Sequence, residues 1–237
     1  MLTHEQRSRY RDDGFVLLAG RFTLSDIHAW VVECERLWRD LSSDLGADRI
    51  QYRSGTAGGR VADRIDPVTD ISPVFAALAR DPRIVDPVSA LLGAPATLMK
   101  AKLITKRPGT MGYLPHQDYP YWAHLGIEAD AMLSVQVAID RATADNGALE
   151  LYRALHHDRL PAPPGAPNDT DAAALERYPS QVIASEPGDL LCFHSLAPHQ
   201  SGPNRASHPR RTLYLTYVGG VGPEIYDVYN NANAARG

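Results

Sequence analysis

The chain has 237 residues, 44% of them hydrophobic and 22% charged, with a formal net charge of −4. That is enough apolar material for one full core, and no Lys/Arg block supplies the basic footprint of a nucleic-acid binder. No stretch is long or apolar enough to span a bilayer, Met1–Arg7 holds no hydrophobic signal core, and Cys34 and Cys192 lie far apart without CxxC spacing; a cytoplasmic protein with two free, buried thiols is expected.

Thr3, followed by Glu5 and Gln6, reads as a helix N-cap, and that helix should stop near Asp13-Gly14. Phe15–Leu18 then reads as a short buried strand. Ser25-Asp26 is expected to cap a second helix, in which Ile27, Trp30, Val31, Cys34, Leu37, Trp38 and Leu41 recur with a period near 3.6 and form one buried face. Further helices are predicted around 72–80 and 82–92. After Pro95 the texture changes to short β-rich runs: Leu98–Thr105, Ala131–Ile139, Leu149–Tyr152, Gln181–Ala184, Asp189–His194 and Thr212–Val218. Turn residues such as Asp145-Asn-Gly147 and Glu186-Pro-Gly-Asp189 separate them. Helices first and strands later predict an α+β domain spanning 1–237, mainly helical over 1–94, with a β-sandwich or barrel over 95–237. The run Pro161–Asn168 predicts a surface loop near 161–170.

Two short segments carry chemistry. With nine histidines and twenty aspartates, about one His-x-Asp is expected by chance, and the chain has two, His116-x-Asp118 and His156-x-Asp158. In an extended segment residues i and i+2 face the same way, so either pair offers two ligands to one metal. His156-x-Asp158 lies in a charged run entering the Pro-rich loop, where solvated side chains are expected. His116-x-Asp118 lies between Tyr113 and Tyr119-Pro-Tyr121-Trp122, an aromatic surround suited to excluding water, and is preferred. Two imidazoles and one carboxylate on one face of Fe(II) leave positions for a bidentate co-substrate and oxygen. The third ligand is expected at His199, with His194 as its competitor. Arg210, eleven residues beyond His199, is placed to point inward while Arg211 points out; an inward guanidinium is stable only against a carboxylate. The alternative is that both arginines are solvated at a strand end.

These residues resemble the phytanoyl-CoA dioxygenase family of Fe(II)/2-oxoglutarate-dependent oxygenases. The resemblance covers most of the chain: Asp13–Leu18 before a long helix, Lys102–Pro108, His116-Gln-Asp118, Asp140 to Leu149, Pro187-Gly-Asp189, and His199-x-Ser-Gly-x-Asn204 to Arg210 follow in family order. It implies a double-stranded β-helix (jelly-roll, cupin-like) core buttressed by N-terminal helices, with iron on His116, Asp118 and His199. It also implies 2-oxoglutarate held by Arg210, with Lys102 and Gln136 as further co-substrate contacts. The family's usual Pro-Gly-Ser-His is replaced here by Arg153-Ala-Leu-His156, which leaves the role of His156 open. Related halogenases lack the carboxylate ligand; Asp118 is present, so hydroxylation or another oxidation is implied, with O2 consumed and succinate and CO2 released. The expected partner is a small molecule, such as a specialised metabolite, with Tyr113, Tyr119, Tyr121 and Trp122 as a candidate aromatic wall. A metal-binding jelly-roll protein without oxygen chemistry, an isomerase or ligand-binding module, is the alternative, and His2Asp also suits Zn(II). Arg210 discriminates, since such a protein need not place an arginine opposite the metal.

Overall fold

Local capping decides where the N-terminal helices begin. The computed structural model, which describes residues 1–41 and 47–234, starts with α1 (His4–Asp13). A reciprocal capping box between Thr3 and Gln6 opens it, and Gly14, at a φ of 87°, closes it. Strand β1 (Phe15–Leu18) follows. Helix α2 (Leu24–Leu41) begins earlier than Ser25-Asp26 suggests, because Thr23 is its cap: Thr23 Oγ1 accepts from the Asp26 N–H, and Asp26 accepts from the Thr23 N–H. Trp30, Cys34, Leu37 and Leu41 are buried on the predicted face. Helices α3 (Pro73–Leu78) and α4 (Pro82–Leu92) lie where the pattern places them, each opened by a side-chain cap and a proline in its first turn.

The first 94 residues are less helical than predicted. A hairpin of β2 (Ile50–Ser54) and β3 (Arg60–Ile65) joins the edge of the main sheet through Arg64 opposite Ile104 and Ile65 opposite Leu103. Both strands carry charged residues where a buried strand carries apolar ones, because one face looks into a polar cavity rather than a core. Beyond them come β4 (Ala96–Lys106), β5 (Tyr113–His116), α5 (Tyr119–Trp122), β6 (Met132–Ala138), β7 (Leu149–Tyr152), β8 (Ser180–Val182), β9 (Leu190–His194), β10 (His199–Ser201), β11 (Arg210–Gly219) and α6 (Ile225–Ala234). The predicted strand runs are present. The short β5 and β10, and helix α6, have no counterpart among the predicted elements.

The strands form a seven-stranded sheet, β1-β9-β6-β11-β4-β3-β2, and a four-stranded sheet, β5-β10-β7-β8. This is the predicted jelly-roll architecture. Alternation divides the larger sheet. Leu103, Leu133, Val135, Leu213 and Leu215 face the helices and join Trp30, Phe75 and Ile84 in the main core, each large side chain contributing roughly 1.5–3 kcal/mol. The alternate residues Lys102, Ser134, Arg210, Tyr214 and Thr216 face the smaller sheet. Phe15, Leu149, Leu151, Leu191 and Phe193 form a second apolar cluster between the sheets, and Leu149 and Phe193 border the same space as those inward residues. Cys34 and Cys192 are buried and unpaired, and burial pushes both thiols up to about 12.

One glycine sets the spacing at the site. Strand β5 runs so close to β10 that a Cβ on Gly112 would stand 1.9 Å from the Ser201 carbonyl oxygen. Gly112→Ala is therefore expected to destabilise the fold by about 1–3 kcal/mol and to weaken metal binding, because His116 pairs with His199 across this contact. Thermal unfolding and an iron titration of the variant check both effects.

Candidate active site

His116 ends β5 and His199 begins β10, directly opposite in the ladder, so backbone pairing brings the rings to a centroid separation of 4.1 Å. Asp118 joins them by a route other than the predicted one. The chain is not extended there: Asp118 has helical angles (φ −71°, ψ −39°) and opens α5. The turn from strand into helix swings its carboxylate beside the imidazoles. Gln117, fully buried and pointing elsewhere, pins this segment by donating to the carbonyls of Asp158 and Leu196 and accepting from the Leu160 N–H.

Each imidazole donates from Nδ1 to a backbone carbonyl, Leu114 at 2.8 Å for His116 and Ala197 at 2.9 Å for His199. A carbonyl only accepts, so Nδ1 carries the proton and Nε2 presents a lone pair. The two Nε2 atoms lie 3.9 and 4.0 Å from Asp118 Oδ1, and all three ligand atoms fall within 4.8 Å of one another. Asp118 Oδ2 accepts from Ser134 Oγ at 2.9 Å, which fixes the carboxylate with Oδ1 toward the histidines. Burial, then His199, lowers His116 to about 3, and burial lowers His199 as well. Burial opposes the charge on Asp118, yet the facing imidazoles and Lys102 hold it below the usual carboxylate range. Three electron-pair donors face one another with no N–H or O–H between them, an arrangement that suits a cation and little else. Two His and one carboxylate is the donor set of non-haem Fe(II).

Arg210 points inward, as expected, and is 2% exposed. Its guanidinium donates to the Asn146 carbonyl (3.2 Å), Thr212 Oγ1 (2.7 Å) and the Gly147 carbonyl (2.9 Å). None of these partners is a carboxylate, and the Tyr214 hydroxyl lies alongside. Arg211 faces the other way and grips Asp140 through two contacts of 2.7 and 2.8 Å. Gly147, at a φ of 71°, turns the Asp145-Asn-Gly147 segment so that its carbonyl meets both Arg210 and the buried Lys106. Burial, then Arg210, lowers Lys106 to about 7.

An inner cavity between the sheets is lined by His116, Asp118, His199, Arg210, Ser134 and Tyr214, among others. An outer cavity of about 910 Å³ opens from it. Lys102, Tyr113, His116, Asp118 and Trp122 line both, so His116 and Asp118 sit where the two cavities meet, with His199 on the inner side. Burial, then Lys100 and Arg64, lowers Lys102 to about 7.

The remaining predicted residues are placed as follows. Tyr121 lines the outer cavity, edge-on to His116, and its hydroxyl donates to Asp169. Tyr119 lines neither cavity; it packs against the Trp122 and Met132 cluster. Gln136 shares the inward face of β6 with Ser134 and is buried, but it lines neither cavity, and its Oε1 has no hydrogen-bond partner among the described residues. Asn168 and Asp169, in or beside the Pro-rich segment, line the outer cavity, so that segment is part of the site wall and not merely a surface loop. Ser134, Tyr214 and Gly147 were not among the predicted site residues; the alternation that marks Gln136 and Arg210 as inward marks Ser134 and Tyr214 too.

The rival histidines belong elsewhere. His194 lies on the helix side of β9 and contacts Asp130 at 3.2 Å. His156 is buried, contrary to the expectation of a solvated run, and packs on Gly14, where a Cβ would come within 2.6 Å of its ring. Its Nε2 meets the Arg11 carbonyl at 3.1 Å, which ties the loop after β7 to the end of α1. Burial, then His157, lowers His156 from 6.5 to about 4. The neutral form is thus favoured in the fold. Its stabilisation is complete above the unfolded value and is lost as pH falls from 6.5 toward 4. His156→Phe should flatten the fall of Tm over that window; an unchanged slope would remove His156 as its cause.

The chain is similar to known dioxygenases. The family model "Phytanoyl-CoA dioxygenase" matches residues 10–212. The chain is 31% identical to methylphosphonate hydroxylase of Gimesia maris, over 91% of this chain and 80% of that protein. It is 28% identical to 2-aminoethylphosphonate dioxygenase of an uncultured bacterium, over 91% of this chain and 81% of that protein. Among solved structures, EctD from S. alaskensis with 2-oxoglutarate and 5-hydroxyectoine superposes with a TM-score of 0.77 at 22% identity, covering 92% of this chain and 76% of that one. No described helix is long and apolar enough to cross a membrane.

Proposed function

The chain belongs to the phytanoyl-CoA dioxygenase family of Fe(II)- and 2-oxoglutarate-dependent oxygenases, and from that premise we propose that it hydroxylates a small phosphonic acid. The observation that carries this reading is the meeting of His116, Asp118, His199 and Arg210 on one inner cavity. The substrate class follows the two phosphonate-acting relatives.

His116, Asp118 and His199 would hold the iron, and Ser134 keeps Asp118 Oδ1 turned toward the two imidazoles. Arg210 receives the distal carboxylate of 2-oxoglutarate, with Tyr214 beside it; Lys102 stands at the junction of the two cavities, and Gln136 lies buried on the same inward face with its Oε1 unmatched among the described residues. Iron and co-substrate together supply the oxidation: 2-oxoglutarate and O2 become succinate and CO2, and the second oxygen atom enters a substrate C–H bond as the hydroxyl. Tyr113, Trp122 and Phe193 wall the inner cavity and would shield a bound metal from bulk water. Tyr121 and the Asn168-Asp169 segment border the substrate side. A jelly-roll metal protein without oxygen chemistry need not place a buried arginine in the ligands' own cavity, and Arg210 lies there.

The test is succinate release from 2-oxoglutarate under air, with Fe(II) and a panel of small phosphonates. Release stimulated by at least one phosphonate, with the hydroxylated product in equal amount, is expected. A panel that stimulates nothing while another substrate class does would overturn the phosphonate assignment.

A further inference from the structure

The outer cavity has a wall that iron chemistry does not require. Arg53 on β2, Arg64 on β3 and Lys100 on β4 line it, and Lys102 stands where it meets the inner cavity. Four cations here face two carboxylates, Asp63 and Asp66, and no ion pair among them is as short as a hydrogen bond. Arg53 Nε lies 3.6 Å from Asp63, while Arg64 Nε lies 4.0 Å and Lys100 Nζ 3.6 Å from Asp66. Arg53 Nε and Arg64 Nε are buried without a hydrogen-bond partner among the described residues, as is Asp63 Oδ1. Of the other acids that line the cavity, Asp70 meets Arg49 at 3.1 Å, Asp169 accepts from Tyr121, Asp118 belongs to the triad, and Asp48 is exposed just before β2.

The wall is also built to stay in place. The Arg53 guanidinium lies 3.4 Å over the Tyr113 ring and donates to the Gly112 carbonyl, while the Tyr113 hydroxyl donates to Asp63. Arg64 donates to Gln51. Fixed cations gathered on one wall, none of them in a short ion pair, leave their charge available to an anion that enters the cavity. A guanidinium matches phosphate-type oxygens through parallel hydrogen bonds, and several cations together favour a doubly charged group over a singly charged one.

We propose that Arg53, Arg64 and Lys100 form a subsite for a doubly charged tetrahedral oxyanion, a phosphonate or phosphate monoester, which anchors the substrate in the outer cavity beside the metal ligands. This rests on the oxygenase reading above and extends it to the residues that select the substrate. Arg210 serves the co-substrate in the inner cavity, so the two anions have separate docking points.

The test is calorimetric binding to the anaerobic Fe(II)·2-oxoglutarate enzyme, well above neutral pH, of four probes of similar size: ethylphosphonate, methyl phosphate, ethanesulfonate and propionate. Ethylphosphonate or methyl phosphate should bind at least about 10-fold more tightly than either singly charged probe, and the tighter of the two identifies a carbon- or oxygen-linked phosphorus group. Arg64→Gln and Lys100→Gln should each weaken that binding by about 10-fold or more. Both variants should keep the wild-type visible band with Fe(II) and 2-oxoglutarate. Equal affinity for all four probes, or unchanged affinity in both variants, overturns the subsite. A wild-type enzyme that forms no band would instead sink the metal-centre reading, so the two failures are distinguishable.

Discussion

Asp118→Ala is expected to lower Fe(II) affinity by more than about 100-fold, beyond what loss of an outer partner of a metal ligand costs, and to abolish succinate formation. The carboxylate is the one charged member of the triad; its Oδ1 faces the two imidazole lone pairs at 3.9 and 4.0 Å. Without it two neutral nitrogens remain, a poor site for a hard divalent ion. The metal-free variant should unfold at a lower temperature than the wild type, because the deletion removes a carboxylate whose charge the fold favours and the bond it accepts from Ser134 Oγ. Anaerobic titration of the weak visible band formed with Fe(II) and 2-oxoglutarate measures the first effect, and thermal unfolding the second. Asp158→Ala, in the rival motif, should leave the band untouched. Wild-type iron affinity in Asp118→Ala would remove this residue from the centre.

Arg210→Ala is expected to weaken 2-oxoglutarate by at least about 30-fold, the lower end of what truncating one partner of a buried, hydrogen-bonded charge pair costs. Binding of Fe(II) alone should be unchanged. The alanine variant also strands the Asn146 and Gly147 carbonyls that Arg210 now satisfies, so Arg210→Lys is the companion. It keeps the positive charge but not the planar fork, and its affinity should fall between the two. Titrating the band with 2-oxoglutarate at saturating iron separates co-substrate affinity from metal affinity. An unchanged midpoint in both variants would place the co-substrate's carboxylate elsewhere.

Much of this was legible before any coordinates. Helices α1, α3 and α4 announce themselves through caps and prolines, and α2 through its apolar period, because these signals act within a few residues. The strands flanking the site were legible where alternation is strong, as in β6 and β11, and that alternation already turned Arg210 inward and Arg211 outward. The β2–β3 hairpin was missed because its inward residues are charged for a cavity. Strands β5 and β10 were missed because three or four residues cannot show a period. The Pro-rich segment was read as surface because composition reports its turns but not what they cover.

Composition and periodicity thus pointed to an α+β class, and the ordered motifs, through the family they resemble, to three candidate ligands and the arginine beyond them. The tertiary structure alone decided how they meet. Asp118 reaches the imidazoles through a helical turn, Ser134 and Tyr214 complete the inner wall, and a second cluster, Arg53, Arg64 and Lys100, gathers on three strands. Local sequence encodes what a residue does to its neighbours in the chain; it carries little trace of contacts between residues fifty or a hundred positions apart, where the sheet register sets the geometry and the chemistry follows from it.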